Sequence, residues 1–340
     1  MDSVTHILFG AGVGQATLGK KEGSKAMLWG AIAQTVPDLD VFASLFMDPV
    51  SYLSVHRGFT HSVFFPFIAA PLLGWLATAI HSKTTESTYW QWTGMFFIAV
   101  MLHPFLDLFT GYGTQLFYPV TDHAFELNTI FIIDPLFTLP LIIGVIYSII
   151  SNRKKQRDMK PARIALAISL SYLILTGALK LSVIPEIRDE LQRNEVQFQQ
   201  LHISPTPFNS FYWRTLAEVE DGYKEGYLSL FDQNPEIEFN FIPRNEHKLE
   251  PYTESKAYRE LMWFSKGFYS VTEEGDNMYF NDLRFGTYPG WTGEIEQFTF
   301  RFRLLETNNP KELSFKQVPE FPDVTSDDLR VFTRKVFAMD

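Results

Sequence analysis

Apolar residues in the first half of the chain form long runs, whereas apolar and polar residues are mixed in the second half. The runs cover residues 4–18, 26–47, 62–80, 90–109, 129–150 and 162–184. A helix that crosses a bilayer needs about 20 apolar residues, so the pattern predicts about six membrane helices. The first run is rich in glycine and alanine, which predicts close packing against its neighbours.

The second half has the pattern of a soluble domain. Asp221-Gly222 separates two strand-like segments and predicts a β-hairpin. Further strands are predicted at 237–242, 268–271, 278–285 and 296–305, and helices at 185–201, 254–265 and 329–337, the last with an N-cap at Thr325. The predicted fold class is an α-helical polytopic membrane bundle over residues 1–184, followed by a soluble α+β domain over residues 185–340.

Charge separates the two halves further. Residues 1–184 carry 12 Lys/Arg against 11 Asp/Glu, and residues 185–340 carry 17 against 28. Clustered Lys and Arg are needed to bind nucleic acid phosphates, so the acidic second half argues against a nucleic acid partner. The chain contains no cysteine, which excludes disulfides and thiolate metal sites.

Positive charge also predicts the orientation in the membrane. Six cations lie between the fifth and sixth apolar runs or at the start of the sixth, namely Arg153, Lys154, Lys155, Arg157, Lys160 and Arg163. The positive-inside bias places this loop in the cytoplasm, and counting helices then places both termini and the acidic domain outside. The same count puts most histidines and aspartates of the first half on the outer side. The prediction is a multi-pass protein of the bacterial cytoplasmic (inner) membrane whose C-terminal domain is extracytoplasmic.

Several of these polar residues have the spacing of metal ligands. His103 and Asp107 are one helical turn apart, so they either face one metal or form a structural His–Asp pair. Asp38 and Asp40 follow Pro37, where one carboxylate can bind metal while the other orients an imidazole, or both can simply end a helix.

The segment from His56 to Ser62 is the most concentrated polar stretch next to an apolar run. A loop at Gly58 would bring His56 and His61 together, and Arg57 is suited to bind an anion or a lipid headgroup. Thr60 and Ser62 are interpreted as the N-cap of the third helix.

Five further polar residues are considered as candidates. His6 taken alone is typical of an interfacial histidine, and Asp134 needs a partner, for which Arg57 and a metal are both open. The loop residues Asp122, His123 and Glu126 are interpreted as solvated. Imidazole and carboxylate donors suit zinc, manganese or iron, and such a metal lowers the pKa of bound water enough to permit hydrolysis at neutral pH.

Taken in order, these motifs resemble the YdjM-type family of bacterial inner-membrane proteins, described as predicted metal-dependent hydrolases. The resemblance covers about residues 1–150 and is carried by the segments 2–6, 37–40, 56–62 and 103–107. The acidic tail, with Trp213-Arg214 and the segment 226–229, is similar to the extension of longer members.

A fainter similarity is to the zinc-dependent phospholipase C and S1/P1 nuclease group. It implies His6, Asp40, His61, His103 and Asp107 as ligands. His56 is a further candidate ligand, because a loop at Gly58 would bring it to His61. Asp38 and Arg57 are then predicted as catalytic residues. The HxxxE pair of that group has no counterpart, because His123 and Glu126 are three apart, so one or two ions are expected rather than three.

Together these readings predict a membrane-bound metal-dependent hydrolase, zinc being the first choice of metal. It would act as a phosphoesterase on a lipid or lipid-linked phosphate at the outer membrane surface. The alternative is a non-enzymatic membrane protein, either a transporter or a metal-stabilised scaffold that presents the acidic domain. The sequence does not indicate an oligomeric state.

Overall fold

A computed structural model describes residues 1–233, 235–292, 297–318 and 324–339 of the chain. These residues form two compact units. The first comprises residues 1–43, 55–177 and 207–209, and the second comprises residues 44–54, 178–206 and 210–340. The first is helical and the second is built mainly on β-sheets.

The helical part of the chain contains seven α-helices in the described residues. They are α1 (Ser3–Glu22), α2 (Ser24–Thr35), α3 (Pro49–Val55), α4 (Pro66–Ile80), α5 (Tyr89–Leu108), α6 (Pro135–Arg153) and α7 (Lys160–Arg193). Two short 3-10 helices, Pro37–Leu45 and Phe59–His61, lie between them.

By length and hydropathy, two of the described helices can cross a bilayer, α6 and α7. A third span arises if the bent pair 49–61 and 66–80, which turns by 66°, acts as one. The predicted count of about six is therefore not confirmed. Helix α2 illustrates the reason: its 12 residues extend for only about 18 Å, well short of the hydrocarbon core of a bilayer.

Glycines let α1 and α2 pack backbone to backbone. A Cβ atom at Gly10 would lie 2.3 Å from the carbonyl oxygen of Gly30, and one at Gly14 would lie 1.9 Å from that of Ala26. Both separations are too short for a side chain. The close packing predicted for the first apolar run is present, and α2 is its partner.

The second and third apolar runs are interrupted by irregular backbone. Proline lacks a backbone N–H, and Pro37 ends α2 and begins the first 3-10 helix. Helix α4 begins at Pro66 without a side-chain cap, so the predicted N-cap at Thr60 and Ser62 is wrong. Ser62 instead donates to the carbonyl of Phe59, 2.8 Å away.

The last two helices differ from the prediction at their ends. Asp134 caps α6 by accepting from the backbone N–H of Leu136 at 2.8 Å. It also accepts from the hydroxyl of Tyr172 at 2.9 Å, so its protein partners in the structure are a helix end and a tyrosine. Helix α7 runs through Pro185 to Arg193 as one element, where the sequence predicted two.

The C-terminal unit is built on antiparallel strands. They are β1 (Leu201–Pro205), β2 (Tyr212–Val219), β3 (Gly222–Ser229), β4 (Asn240–Pro243), β5 (Tyr269–Glu274), β6 (Asn277–Asp282), β7 (Thr287–Tyr288), β8 (Gln297–Phe298), β9 (Arg301–Glu306) and β10 (Leu313–Val318). The sheets have the orders β1-β2-β3-β4, β10-β9-β6-β5 and β7-β8. Helices α8 (Lys256–Ser265) and α9 (Ser326–Val336) complete the described elements.

Most elements of this unit lie near their predicted positions. The β2–β3 hairpin is present, but Val219 pairs with Gly222, so the turn is Glu220-Asp221 rather than Asp221-Gly222. Thr325 caps α9 as predicted. Strands β1, β7 and β10 were not predicted. The strand predicted at 296–305 corresponds to β8 and β9, and its residue 296 lies outside the described residues.

A compact apolar core holds the first sheet against the end of α7. Val183, Ile187 and Leu191 of α7 pack in one buried cluster with Trp213 and Leu228 of β2 and β3. The part of α7 that was predicted to lead away from the membrane therefore anchors a β-sheet.

Candidate metal centre

Four side chains of the helical unit converge in its interior. Asp38 comes from the 3-10 helix after α2, His61 from the 3-10 helix before α4, and His103 and Asp107 from α5. One potential ligand atom from each lies within 4.8 Å of the other three. His61, His103 and Asp107 are fully buried, while the side chain of Asp38 is 32% exposed. We call these four residues the His–Asp cluster.

Five of the six separations within the His–Asp cluster are close to those of a tetrahedral ligand shell, and the sixth, between Asp38 and Asp107, is at most 4.8 Å. His61 Nε2 lies 3.1 Å from His103 Nε2, 3.3 Å from Asp38 Oδ1 and 3.6 Å from Asp107 Oδ2. His103 Nε2 lies 3.4 Å from both Asp38 Oδ1 and Asp107 Oδ2. Ligands about 2.0–2.1 Å from a tetrahedral zinc are separated by about 3.3–3.4 Å. The four atoms therefore fit a single small metal ion.

Hydrogen bonds on the far side of each imidazole define its tautomer. Nδ1 of His103 lies 2.7 Å from the backbone carbonyl of Gln34, which can only accept, so this nitrogen carries the hydrogen. Nδ1 of His61 lies 3.1 Å from the hydroxyl of Thr60, which gives its own hydrogen to Asp40. Both Nε2 atoms consequently present lone pairs to the His–Asp cluster.

The His–Asp cluster thus consists of acceptors that face acceptors. Two imidazole lone pairs and two carboxylate oxygens point at one another, and Asp107 Oδ2 is buried without a hydrogen bond in the described residues. Buried polar groups are normally paired, and an unpaired carboxylate oxygen is costly. A metal cation bound between them would satisfy all four atoms together. The donor set, nitrogen and oxygen without sulfur, suits zinc and also accepts manganese or iron.

Asp40 lies next to the His–Asp cluster but is not one of its four members. It accepts from His56 Nδ1 at 2.9 Å, from the backbone N–H of Arg57 at 2.8 Å and from Thr60 at 3.2 Å. Its Oδ2 is 3.5 Å from His61 Nδ1. Asp40 therefore holds the loop and orients His61. In this geometry the roles predicted for the two carboxylates are exchanged, with Asp38 at the metal position and Asp40 behind an imidazole.

His56 and His6 border the cluster without belonging to its four converging atoms. His56 is bound to Asp40, and its ring lies 5.5 Å from that of Tyr112. His6, fully buried on α1, stacks on His103 with ring centroids 3.9 Å apart. Its Nε2 is 3.2 Å from Asp107 Oδ1, to which the nitrogen of Met1 also donates. His6 is therefore a ring neighbour that contacts the far oxygen of a cluster carboxylate.

Gln34 connects two of these histidines and was not predicted. Its carbonyl accepts from His103, and its side-chain Oε1 lies 3.0 Å from His6 Nδ1. Its Nε2 donates to the carbonyl of Ala99 at 2.8 Å, which orients the amide so that Oε1 faces His6. A single glutamine in an apolar helix has no spacing pattern, so the only signal was its presence there.

Arg57 places a cation beside the cluster. Its Nη1 is 3.7 Å from Asp107 Oδ2, and its guanidinium stacks over Tyr112 with 4.5 Å to the ring centroid. Within the described residues, its Nε and Nη1 are buried and make no hydrogen bond. A guanidinium whose donors have no hydrogen-bonding partner is suited to bind a planar or tetrahedral anion.

Other polar residues singled out in the sequence lie elsewhere. His123 packs against Phe125 with ring centroids 4.5 Å apart, and Glu126 accepts from Asn128 at 3.1 Å. His81 accepts from the indole N–H of Trp29 at 2.9 Å. These contacts connect loops and helices. They do not extend the His–Asp cluster.

Comparison with known proteins agrees with the membrane character of the first half. Residues 1–183 match the family described as YdjM inner membrane protein. A relative in Bacillus subtilis (strain 168), named "Uncharacterized protein YfhP", is 26% identical over 332 residues, which cover 89% of this chain and 99% of the relative. No solved structure matches the chain.

Proposed function

The chain belongs to the family of YdjM inner membrane proteins, and we propose that it is a membrane-bound, metal-dependent phosphoesterase. The observation that carries this proposal is the pairing of two features at one point. Four converging acceptors, three of them on fully buried residues, fit a metal ion, and Arg57, whose Nε and Nη1 make no hydrogen bond in the described residues, lies 3.7 Å from one of them. A metal next to a guanidinium is the arrangement that stabilises charge on a phosphoryl group.

The residues present would hold the metal through Asp38, His61, His103 and Asp107. Zinc is the first choice because the separations fit a tetrahedron, and manganese or iron would accept the same donors. When bound, such a metal polarises a phosphoryl oxygen and makes water more acidic. Among the charged side chains at the site, the carboxylates of Asp38, Asp40 and Asp107 outnumber the guanidinium of Arg57, which favours a divalent cation.

Other residues of the site would bind the substrate and orient the metal ligands. Arg57 would bind the phosphate oxygens and oppose the negative charge that develops during hydrolysis. Asp40 would keep His61 in the tautomer that presents Nε2, and Gln34 would do the same for His103. Asp38 is the exposed member of the cluster and marks the side from which a substrate approaches.

Apolar side chains around Asp38 favour a substrate that the membrane itself presents. Leu39, Val41 and Phe42 of the same 3-10 helix are 53%, 48% and 57% exposed. These apolar residues alternate with Asp38 and Asp40, so the exposed edge of this 3-10 helix would lie among lipids. We therefore propose a lipid or lipid-linked phosphate as the substrate class. The orientation inferred from the basic loop puts this edge at the outer surface and the C-terminal domain outside the cytoplasm.

The number of protein ligands favours a second function, in which the metal has a structural role. Four protein ligands already complete a tetrahedron, as in structural zinc sites, whereas catalytic sites keep a position for water. In that case the metal would only stabilise the helical unit, which would act as a scaffold that presents the acidic domain. The partial exposure of Asp38 favours the catalytic reading, because this ligand can yield its place to water.

Hydrolysis of lipid phosphates by the purified, metal-loaded chain tests the proposal. We expect phosphate release that a chelator abolishes, and a loss of about 100-fold in kcat for Arg57→Gln with the metal retained. Lys83→Gln, which removes an exposed cation elsewhere in the same unit, is the matched control and should remain active. A metal-loaded wild type that releases no phosphate from any lipid phosphate would favour the scaffold.

Reporter fusions test the orientation separately. A periplasmic reporter fused after residue 339 should be active, and one placed in the loop between α6 and α7 should be inactive. The reverse pattern would place the His–Asp cluster at the cytoplasmic side.

A further inference from the structure

A second candidate site lies in the helical unit, on the two helices that are the best membrane spans. A groove of about 440 Å³ runs between α6 and α7. Leu139, Ile143 and Tyr147 line it from α6, and Ile164 and Ile168 line it from α7. All five side chains are exposed. Since both helices are candidate spans, this groove would face the hydrocarbon of the bilayer.

One end of the groove is strongly basic. Lys160, the first residue of α7, lines that end. Arg153 ends α6, and Lys154 and Lys155 follow it in the loop that joins α6 to α7. None of these four cations forms an ion pair within the described part of the chain. One carboxylate is present, since Asp158 also lines the groove, and its Oδ1 accepts from the backbone N–H of Lys160 at 2.9 Å.

The other two cations of this loop are engaged in the structure. Arg157 donates to Glu86 at 3.1 Å, and Arg163 donates to the carbonyl of Ala16 at 3.0 and 3.1 Å. Arg157 and Arg163 therefore attach the loop to other parts of the helical unit. The four cations beside the groove have no ionic partner in the described residues. The four cations outnumber the single carboxylate of Asp158, so apolar walls that end in a net positive charge match an amphiphile with a negative head.

We propose that this groove binds one acyl chain of an anionic phospholipid, whose phosphate is held by Lys160 and its neighbouring cations. Basic pockets between membrane helices are suited to anionic headgroups, and the charge makes the site selective against zwitterionic lipids. The site is separate from the His–Asp cluster, because none of the residues that line the groove belongs to that cluster. The proposal does not depend on phosphoesterase activity.

Native mass spectrometry of the full chain in detergent tests this site. The probes are phosphatidylglycerol and phosphatidylcholine with identical acyl chains. We expect the wild type to retain phosphatidylglycerol more strongly. Removing two cations with Lys154→Gln and Lys160→Gln should weaken phosphatidylglycerol binding by about 25-fold, or about fivefold for each cation, and should leave phosphatidylcholine binding unchanged.

Two further variants separate the groove from general surface charge. Ile143→Trp with Ile164→Trp fills the groove and keeps every cation, so it should also weaken phosphatidylglycerol binding. Lys83→Gln removes an exposed cation elsewhere in the same unit and should have no effect. Equal retention of the two lipids, or full binding by the groove-filled variant, would overturn the proposal. A lipid-free dimer held by this face would also overturn it.

Discussion

Each half of the protein buries charged groups, but the two halves balance them differently. In the C-terminal unit, Arg214 Nε donates to Glu225 at 2.6 Å, and Arg284 Nη2 donates to Asp282 at 2.7 Å. Every one of these acceptors faces a donor. In the His–Asp cluster, imidazole lone pairs and carboxylate oxygens face one another at 3.1–3.6 Å.

This difference shows how to separate a structural polar network from a ligand site. A buried network that is complete in hydrogen bonds needs nothing further, and its role is to hold the fold. A buried network that has acceptors without donors needs a cation from outside the chain. By this criterion the buried pairs of the C-terminal unit are structural, and the His–Asp cluster is a candidate metal-binding site.

The largest expected effect comes from breaking a complete pair. Arg214→Met leaves the fully buried carboxylate of Glu225 without its cation, which should lower the free energy of unfolding by about 3–5 kcal/mol. Arg214→Met combined with Glu225→Leu removes both charges and should recover most of the loss. Denaturant unfolding of the full chain in detergent, followed by circular dichroism, measures both. A double variant less stable than the single one would contradict the structural reading.

Removing metal should affect only the incomplete cluster. A metal whose free concentration is about 100 times its Kd stabilises the folded state by about 2.7 kcal/mol. A chelator removes the metal and therefore this stabilisation. We expect the wild type to lose thermal stability with chelator, and His61→Ala to start lower and show no further loss. Arg214→Met should respond to chelator as the wild type does. A wild-type Tm that is the same with and without chelator would argue against a bound metal.

Gln34 offers a finer test of how the cluster is held. Gln34→Leu removes the amide that contacts His6, which in turn contacts Asp107. Loss of a direct partner of a ligand lowers metal affinity by about 10-fold to 100-fold, so we expect a loss of at most about 10-fold for this more distant contact. Gln15→Leu is a matched control, because Gln15 is also fully buried in the helical unit but bonds to Asn152 and to the carbonyl of Asp158. Competition with a fluorescent chelator measures both affinities. Equal losses in the two variants would show that Gln34 acts through packing alone.

The smallest effect concerns pH and the C-terminal unit. Burial, aided by nearby cations of which Lys180 is the first, holds the pKa of His202 well below its usual range. The unfolded chain binds this proton near pH 6.5 and the folded chain does not, so stability is complete above that pH and falls below it. Below pH 6.5, we expect the free energy of unfolding to fall by at most about 1.4 kcal/mol for each pH unit.

His202→Asn should flatten this dependence between pH 6.5 and pH 5. Unfolding curves at several pH values provide the comparison. A wild-type curve as flat as that of the variant would show that His202 is protonated in the folded protein.

Much of the site could be predicted because it follows local rules. His103 and Asp107 meet because residues four apart share a helix face, and Thr325 caps α9 because a hydroxyl satisfies the first N–H groups. The exchange between Asp38 and Asp40 could not be predicted, because it depends on a 3-10 helix that turns each carboxylate differently. Gln34 was missed because its role depends on contacts between α1, α2 and α5.

The membrane helices show the same limit. Hydropathy marked the apolar runs, but it did not reveal that α1 and α2 are a short, glycine-packed pair or that the third run is bent. Helix α7 crosses Pro185 without interruption because packing of Ile187 and Leu191 on a sheet outweighs the lost hydrogen bond. Such tertiary effects have no signature in a single sequence.

The central claim is that the His–Asp cluster holds a metal ion, and elemental mass spectrometry tests it most directly. The samples are the detergent-purified wild type and the His61→Ala, Asp107→Ala double variant, each confirmed as folded by circular dichroism. We predict at least one zinc, manganese or iron per chain in the wild type and none in the variant. A folded wild type without such a metal, after incubation with each ion, would contradict the account and leave these histidines as hydrogen-bonding links between helices.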